Sequence, residues 1–218
     1  QDHLGLAPGF GAVGGALEVA GLGQFGVVRQ VLPPDAAEDG AIGRPQLVTR
    51  LRRAYADPLA RVGTFAVYVK VQNGPVIFAR RGGQALHPAS CVKLPFLVAA
   101  VHWCAAQGRS PDCLDPYARP MIVESDNVAT GLVVDTITGA PNGPVAGTDV
   151  EAWIERRRYT ERVLEAQGLL RGQRLLTKTY PTNSGDEPAG LERLAWERLG
   201  RNAMSSDAAA DLMLTVVS

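Results

Sequence analysis

Between residues 64 and 79 the chain carries two short β-prone stretches. Thr64 to Val71 is β-branched and aromatic, Asn73-Gly74 follows, and Pro75 to Ala79 is apolar again. That order predicts an antiparallel hairpin turning on the Asn-Gly pair. Further on, Leu94, Phe96, Leu97, Ala99, Ala100 and Val101 leave no polar face, which predicts a buried helix. Pro95 stands near enough to its start to be tolerated. Trp103 to Gln107 continues as helix, and Gly108 to Pro111 stops it. A second apolar helix is predicted from Asp126 to Ile137, ended by Thr138-Gly139, with Asn142-Gly143-Pro144 and Gly147 forming a loop. Asp149 to Gln167 carries mixed charges at helical spacing and stops at Gly168. Thr182 to Gly190 is turn-rich, and Ser205-Ser206-Asp207 caps a last helix running through Leu212 to Val217.

Upstream, Leu47 to Tyr55 reads as a surface helix closed by Asp57-Pro58. Residues 1–46, rich in Gly, Pro and Ala, read as an N-terminal extension whose one strand-like stretch is Gln24 to Leu32. The expected domain is therefore 47–218: helix and hairpin over 47–86, a mostly helical lobe over 87–204, and the final helix over 205–218. A hairpin beside segregated helices makes the fold class α+β. No repeat or low-complexity tract interrupts it.

At 218 residues, 46% hydrophobic and 20% charged, the chain can bury a real core. Lys plus Arg and Asp plus Glu each count 22, so no net charge draws it to nucleic acid or an anionic membrane. No apolar run is expected to reach the ~20 residues that cross a bilayer, and the first residues do not read as a signal peptide. The three cysteines lack zinc-ligand spacing. Cys104 and Cys113 either bridge across a helix end or stay as buried or free thiols, leaving Cys91 single.

Chemistry concentrates in two places. Amide hydrolysis through a covalent intermediate needs a nucleophilic oxygen, a base and oxyanion donors. Ser90-Cys91-Val92-Lys93 offers the first two, because residues three apart share a helix face. Ser90 also opens the helix, where free N–H groups favour developing negative charge. Lys93 acts as a base only if burial lowers its pKa. Ser125-Asp126-Asn127 opens the second apolar helix; alone it reads as an N-cap cluster, and together with the first motif it reads as part of a site. His3, His87 and His102 read as terminal, turn and helix-face residues, and Trp103, Trp153 and Trp196 as packing residues.

With Pro88-Ala89-Ser90 and Lys93-Leu94-Pro95 flanking the first motif, and Asp135-Thr136-Ile137-Thr138-Gly139 following the second, the chain resembles the serine β-lactamase and penicillin-binding protein superfamily over about residues 47–218, closest to class A. The resemblance implies a β-lactamase-like fold, an antiparallel sheet flanked by helices plus an all-helical lobe. It implies that Ser90 is acylated, Lys93 activates it, Ser125 passes a proton to the leaving nitrogen, and Asn127 holds the substrate amide. The Ser90 N–H would form half of an oxyanion hole, and Asp126 would anchor its loop.

Two departures accompany it. Where class A places a deacylating glutamate, Gly168 to Pro181 offers Thr179 or Tyr180, with Asn183 matching a later loop asparagine. Glu161 and Glu165 fall too early and read as solvated helix charges. The third motif, K-T-G, has only Lys178-Thr179-Tyr180 as a near match, which reads as a loop, so the family's C-terminal strands are expected to be missing from this chain.

The expectation is thus a serine hydrolase cleaving β-lactam or acyl-D-alanyl-type amides. One alternative is a penicillin-binding or D,D-peptidase-like protein that deacylates slowly. Another is a non-catalytic module that keeps the fold and binds cell-wall peptide. No metal, no organic cofactor and no nucleic-acid partner is expected, and the resemblance implies a periplasmic or secreted protein.

Overall fold

A computed structural model of the chain describes residues 45–46, 48–50, 53, 64–71, 74–169, 173–175, 177 and 188–217. The strand-like stretch Gln24 to Leu32 and the Lys178-Thr179-Tyr180 and Asn183 positions lie outside these. Residues 45–46, 48–50 and 53 are helical (α1), in keeping with the helix expected from Leu47, while Leu47, Tyr55 and the Asp57-Pro58 stop lie outside the described residues.

The fold is α+β. Strands β1 (Val67–Lys70) and β2 (Val76–Arg80) pair antiparallel, Val67 opposite Arg80 and Val69 opposite Phe78. The expected two-residue Asn73-Gly74 turn is corrected to a longer connection. Lys70 pairs with Val76 across a register shift and the Val71 N–H bonds to Pro75 O, so the last pairing lies outside a two-residue turn; Asn73 itself lies outside the described residues. The Gly74 N–H closes it on Val71 O, and a Cβ on Gly74 would come within 2.9 Å of Val71 Cβ. A lone hairpin is marginal in water. Helix α8 (Ser206–Val217) therefore packs on β1, and Lys70 pairs with Asp211 at 2.7 Å.

The predicted buried helix is a 3-10 turn, Ala89–Val92, running into α2 (Lys93–Ala106). Val92, Phe96, Ala99, Ala100 and Cys104 are buried, but Val101 is 40% exposed, so one face does reach solvent. Among the described residues, Ala89–Ala106 is the one helical stretch that meets the length and composition of a membrane span, a test that the core helix of a globular protein also passes. Its buried residues instead form the centre of the main core, with Met121, Val133, Leu164 and Leu212 around it.

Helix α3 (Asp115–Val123), unpredicted, follows a bridge between Cys104 and Cys113. Of the two cysteine readings, the disulfide is the one found. Helix α4 (Asn127–Thr138) has the expected limits, capped by Asp126 and ended by Gly139 in the left-handed region. The single helix expected from Asp149 to Gln167 is two: α5 (Val150–Arg157) and α6 (Tyr159–Ala166), broken at Arg158. The break serves packing, since α6 lies against α2, whereas Trp153 and Ile154 of α5 form a second core with Leu191 and Ala195 of α7 (Gly190–Leu199). Gly190 has φ +58°, and a Cβ there would meet Gly143 O at 2.1 Å, so only glycine lets α7 start against that loop.

Candidate active site

Ser90 is exposed at the second position of the 3-10 turn, where its N–H has no acceptor inside the turn. Lys93, one turn on, is only 3% exposed. Its amine is surrounded by oxygens: Ser125 O at 2.5 Å, Ser125 Oγ at 2.8 Å, Asn127 Oδ1 at 2.9 Å and Ser90 Oγ at 3.4 Å. The Ser125 hydroxyl, itself exposed, donates to Ser90 Oγ at 3.1 Å. All four residues singled out by sequence therefore converge: Ser90, Lys93, Ser125 and Asn127.

Backbone geometry explains how. Ser125 links α3 to α4 with φ +56°, in the left-handed region that costs a non-glycine residue about 1–2 kcal/mol. That turn aims both its carbonyl and its hydroxyl at Lys93. Ala89, immediately before Ser90, also has positive φ, +46°. Strained backbone beside both hydroxyls fits a pattern in which strain collects at functional sites.

Asp126 anchors the loop. Its carboxylate accepts from the N–H groups of Val128 at 2.6 Å and Ala129 at 2.9 Å, so Asn127 is fixed at the first position of α4. Asn127 gives its oxygen to Lys93, and its amide nitrogen has no protein partner among the described residues.

Electrostatics separate the groups by role. Desolvation pulls the Lys93 ammonium below its ordinary 10.5, while the Asp126 charge opposes this. Cys91, beside Ser90, is half-buried, and burial pushes its thiol up, so it is a poor thiolate nucleophile.

Glu161 is corrected. It is not a solvated helix charge, because it accepts the Leu175 N–H at 2.8 Å and its side chain is 13% exposed. Burial raises its pKa. Glu165 is exposed, as expected. His87 faces Asn202 O at 3.4 Å and His102 faces Tyr159 Oη at 3.3 Å, and neither pairs with Ser90.

Sequence reasoning missed the clasp behind Ser90. Met204 pairs with Leu86, four residues before the serine, while its neighbour Ala203 pairs with Arg174. Buried Thr177 and Asn202 lock that junction: Asn202 Oδ1 accepts from Thr177 N at 3.1 Å, and Asn202 Nδ2 donates to Thr177 O at 2.5 Å. Residues 25 apart without a motif leave no local signal to find. Among the described residues, no group of three His, Cys, Asp or Glu could hold a metal.

No protein-family model matches the chain, and no solved structure matches it. It is similar to golvesin of Dictyostelium discoideum. The two are 35% identical over 134 residues, 60% of this chain and 23% of golvesin. The chain thus spans less than a quarter of that relative's length, and the name carries no activity over.

Proposed function

We propose that the protein is a serine hydrolase resembling class A β-lactamase, with a β-lactamase-like fold, that opens β-lactam or acyl-D-alanyl-type amides through an ester on Ser90. The observation that carries this reading is the convergence of an exposed serine hydroxyl, a buried amine and a second hydroxyl within 3.4 Å of one another. In its neutral form Lys93 takes the Ser90 proton, directly or through Ser125. Ser90 Oγ then adds to the substrate carbonyl, and the Ser90 N–H donates to the oxyanion. As the tetrahedral adduct collapses, the C–N bond breaks, Ser125 gives its proton to the leaving nitrogen, and Lys93 resupplies Ser125. The free Asn127 amide nitrogen donates to the substrate's side-chain amide carbonyl.

Water must then cleave the ester. Glu161, the half-buried carboxylate on α6 ahead of the Gly168 to Pro181 stretch, is engaged by the Leu175 N–H. That engagement favours a second version of the reading, a penicillin-binding-like protein with a long-lived acyl-enzyme. The Cys104–Cys113 bridge supports a compartment outside the reducing cytoplasm, periplasmic or secreted.

A chromogenic cephalosporin followed by intact-protein mass spectrometry tests both versions. The expected result is an adduct on wild type, none on Ser90→Ala, and release of one chromophore per protein if the ester is long-lived. An adduct of equal yield on Ser90→Ala, or none on folded wild type, overturns the proposal.

A further inference from the structure

Two Asn-Gly pairs occur in the chain, Asn73-Gly74 and Asn142-Gly143. The fold accounts for the glycine of the first, since a Cβ on Gly74 would come within 2.9 Å of Val71 Cβ. It does not account for the glycine of the second. A Cβ on Gly143 would meet no atom beyond its chain neighbours within 4 Å, and Gly143 does not have positive φ. What the missing Cβ does provide is an unhindered peptide nitrogen beside the Asn142 side chain.

That side chain is folded back onto the nitrogen. Asn142 is exposed between α4 and α5, and its Oδ1 accepts the Gly143 N–H at 3.0 Å and the Glu192 N–H of α7 at 3.1 Å. Gly143 O in turn accepts the Leu191 N–H at 3.0 Å. One dipeptide therefore holds two of the N–H groups that the start of α7 leaves without helical acceptors. The Asn142 amide nitrogen has no partner among the described residues.

We propose that Asn142 is a site of spontaneous deamidation in the folded protein, and that its isoaspartate product loosens the start of α7. Gly143 N gives its proton to solvent base and bonds to Asn142 Cγ. The carbonyl electron pair moves to Oδ1, where the Glu192 N–H donates to it as to an oxyanion. The Cγ–Nδ2 bond then breaks, and the nitrogen takes a proton from water and leaves as ammonia. A second water opens the cyclic imide, with no change of oxidation state. Attack at Cγ restores the ordinary chain with an aspartate, whose carboxylate still accepts from α7 and suits the positive end of its dipole. Attack at the main-chain carbonyl sends the chain through Cβ and Cγ, one carbon longer, which shifts Gly143 O away from Leu191 N. The effect reaches inward, because Leu191 belongs to the second core and Glu192 binds Arg157.

The 218-residue protein is aged at pH 8 and 37 °C, beside the same chain in guanidinium chloride and the Gly143→Ala variant. Peptide mapping reads aspartate and isoaspartate at residue 142, and amide hydrogen exchange reads the start of α7. Folded wild type is expected to convert no more than about threefold slower than the unfolded chain, because the fold already sets the side chain on the nitrogen. Gly143→Ala should melt with wild type and convert at least about tenfold more slowly, its methyl group hindering the attack. In the isoaspartate fraction the Leu191 and Glu192 amides should exchange at least about tenfold faster than in fresh protein. Asn142→Asp, which supplies the other product directly, should stay near wild type. Asn142 left intact in the folded protein when the unfolded chain has converted, or equal conversion in folded wild type and Gly143→Ala, overturns the site. An isoaspartate fraction whose α7 amides stay as protected as those of fresh protein overturns the link to α7.

Discussion

At the scale of single residues, the amine of Lys93 faces four oxygens. An ammonium carries three hydrogens, and the three nearer oxygens use them all, so Ser90 Oγ at 3.4 Å is left over. Ser125 O and Asn127 Oδ1 can only accept. A neutral amine that spends its two hydrogens on them is left with its lone pair towards the hydroxyls. In the proposed mechanism, losing one proton therefore leaves the base already in place. Because burial lowers the Lys93 pKa, the acylation rate should rise with pH through an inflection below 10.5. Asp126 charge opposes that lowering, and asparagine caps helices as well as aspartate. Asp126→Asn should accordingly move the inflection to lower pH and speed acylation at pH 7, with little change in melting temperature. Stopped-flow acylation profiles over pH 5–10 decide it; an inflection that stays put or rises means the base is not Lys93. The spacing of Ser90 and Lys93 was legible in sequence because one helical turn fixes it. The use of the Ser125 carbonyl was not, because it depends on a left-handed serine that nothing in the local sequence requires.

Elements were legible where local rules agree with packing. Helix α4 carries its Asp cap and terminal Gly in the sequence, and its limits match. Helix α3 drew no expectation from the sequence: it holds two prolines, Pro116 in its first turn, where no bond is lost, and Pro120 inside it. The split between α5 and α6 was illegible for a different reason: it is imposed from outside by Arg157. That guanidinium is 1% exposed and binds Asp135 of α4 at 2.6 Å and Glu192 of α7 at 2.9 Å, with the Trp153 ring 4.9 Å away. Three helices therefore meet on one buried cation. Its Nε and Nη1 have no partner, so the arrangement is not an optimal ion pair. Losing the cation is nevertheless costly, because it breaks a buried ion pair to Glu192, whose side chain is 1% exposed. Arg157→Met should destabilise the fold by about 3–5 kcal/mol. Adding Glu192→Gln should recover part of this, since a neutral amide is cheaper to bury. Urea melts of the two variants check it, and a double variant no better than the single one would show that packing, not charge, holds the three helices.

On the scale of the whole molecule, α2 is the hub: its start carries Lys93, its middle fills the core, and its end is tied to the approach to α3 by the Cys104–Cys113 bridge. The bridge and the reactive groups lie at opposite ends of one rigid rod. Cys104 follows Lys93 by 11 positions, which at ~1.5 Å per residue sets them about 16 Å apart. Cys104 is fully buried, so its sulfur is packed whether or not it is bonded. What reduction removes is the constraint on the unfolded chain across a separation of nine residues, on the order of 2–3 kcal/mol in the chain-entropy account. What it leaves is the network around Lys93, which is closed by α4 and the Ser125 turn rather than by the far end of α2. The Cys104→Ala/Cys113→Ala protein should therefore melt at a clearly lower denaturant concentration, yet acylate Ser90 within about twofold of the wild-type rate, because the loss falls on stability alone. Measuring both quantities on the same sample separates the two roles of α2. If acylation falls in step with stability, the helix does not behave as a rod, and the positions of Ser90 and Lys93 depend on how its far end is moored.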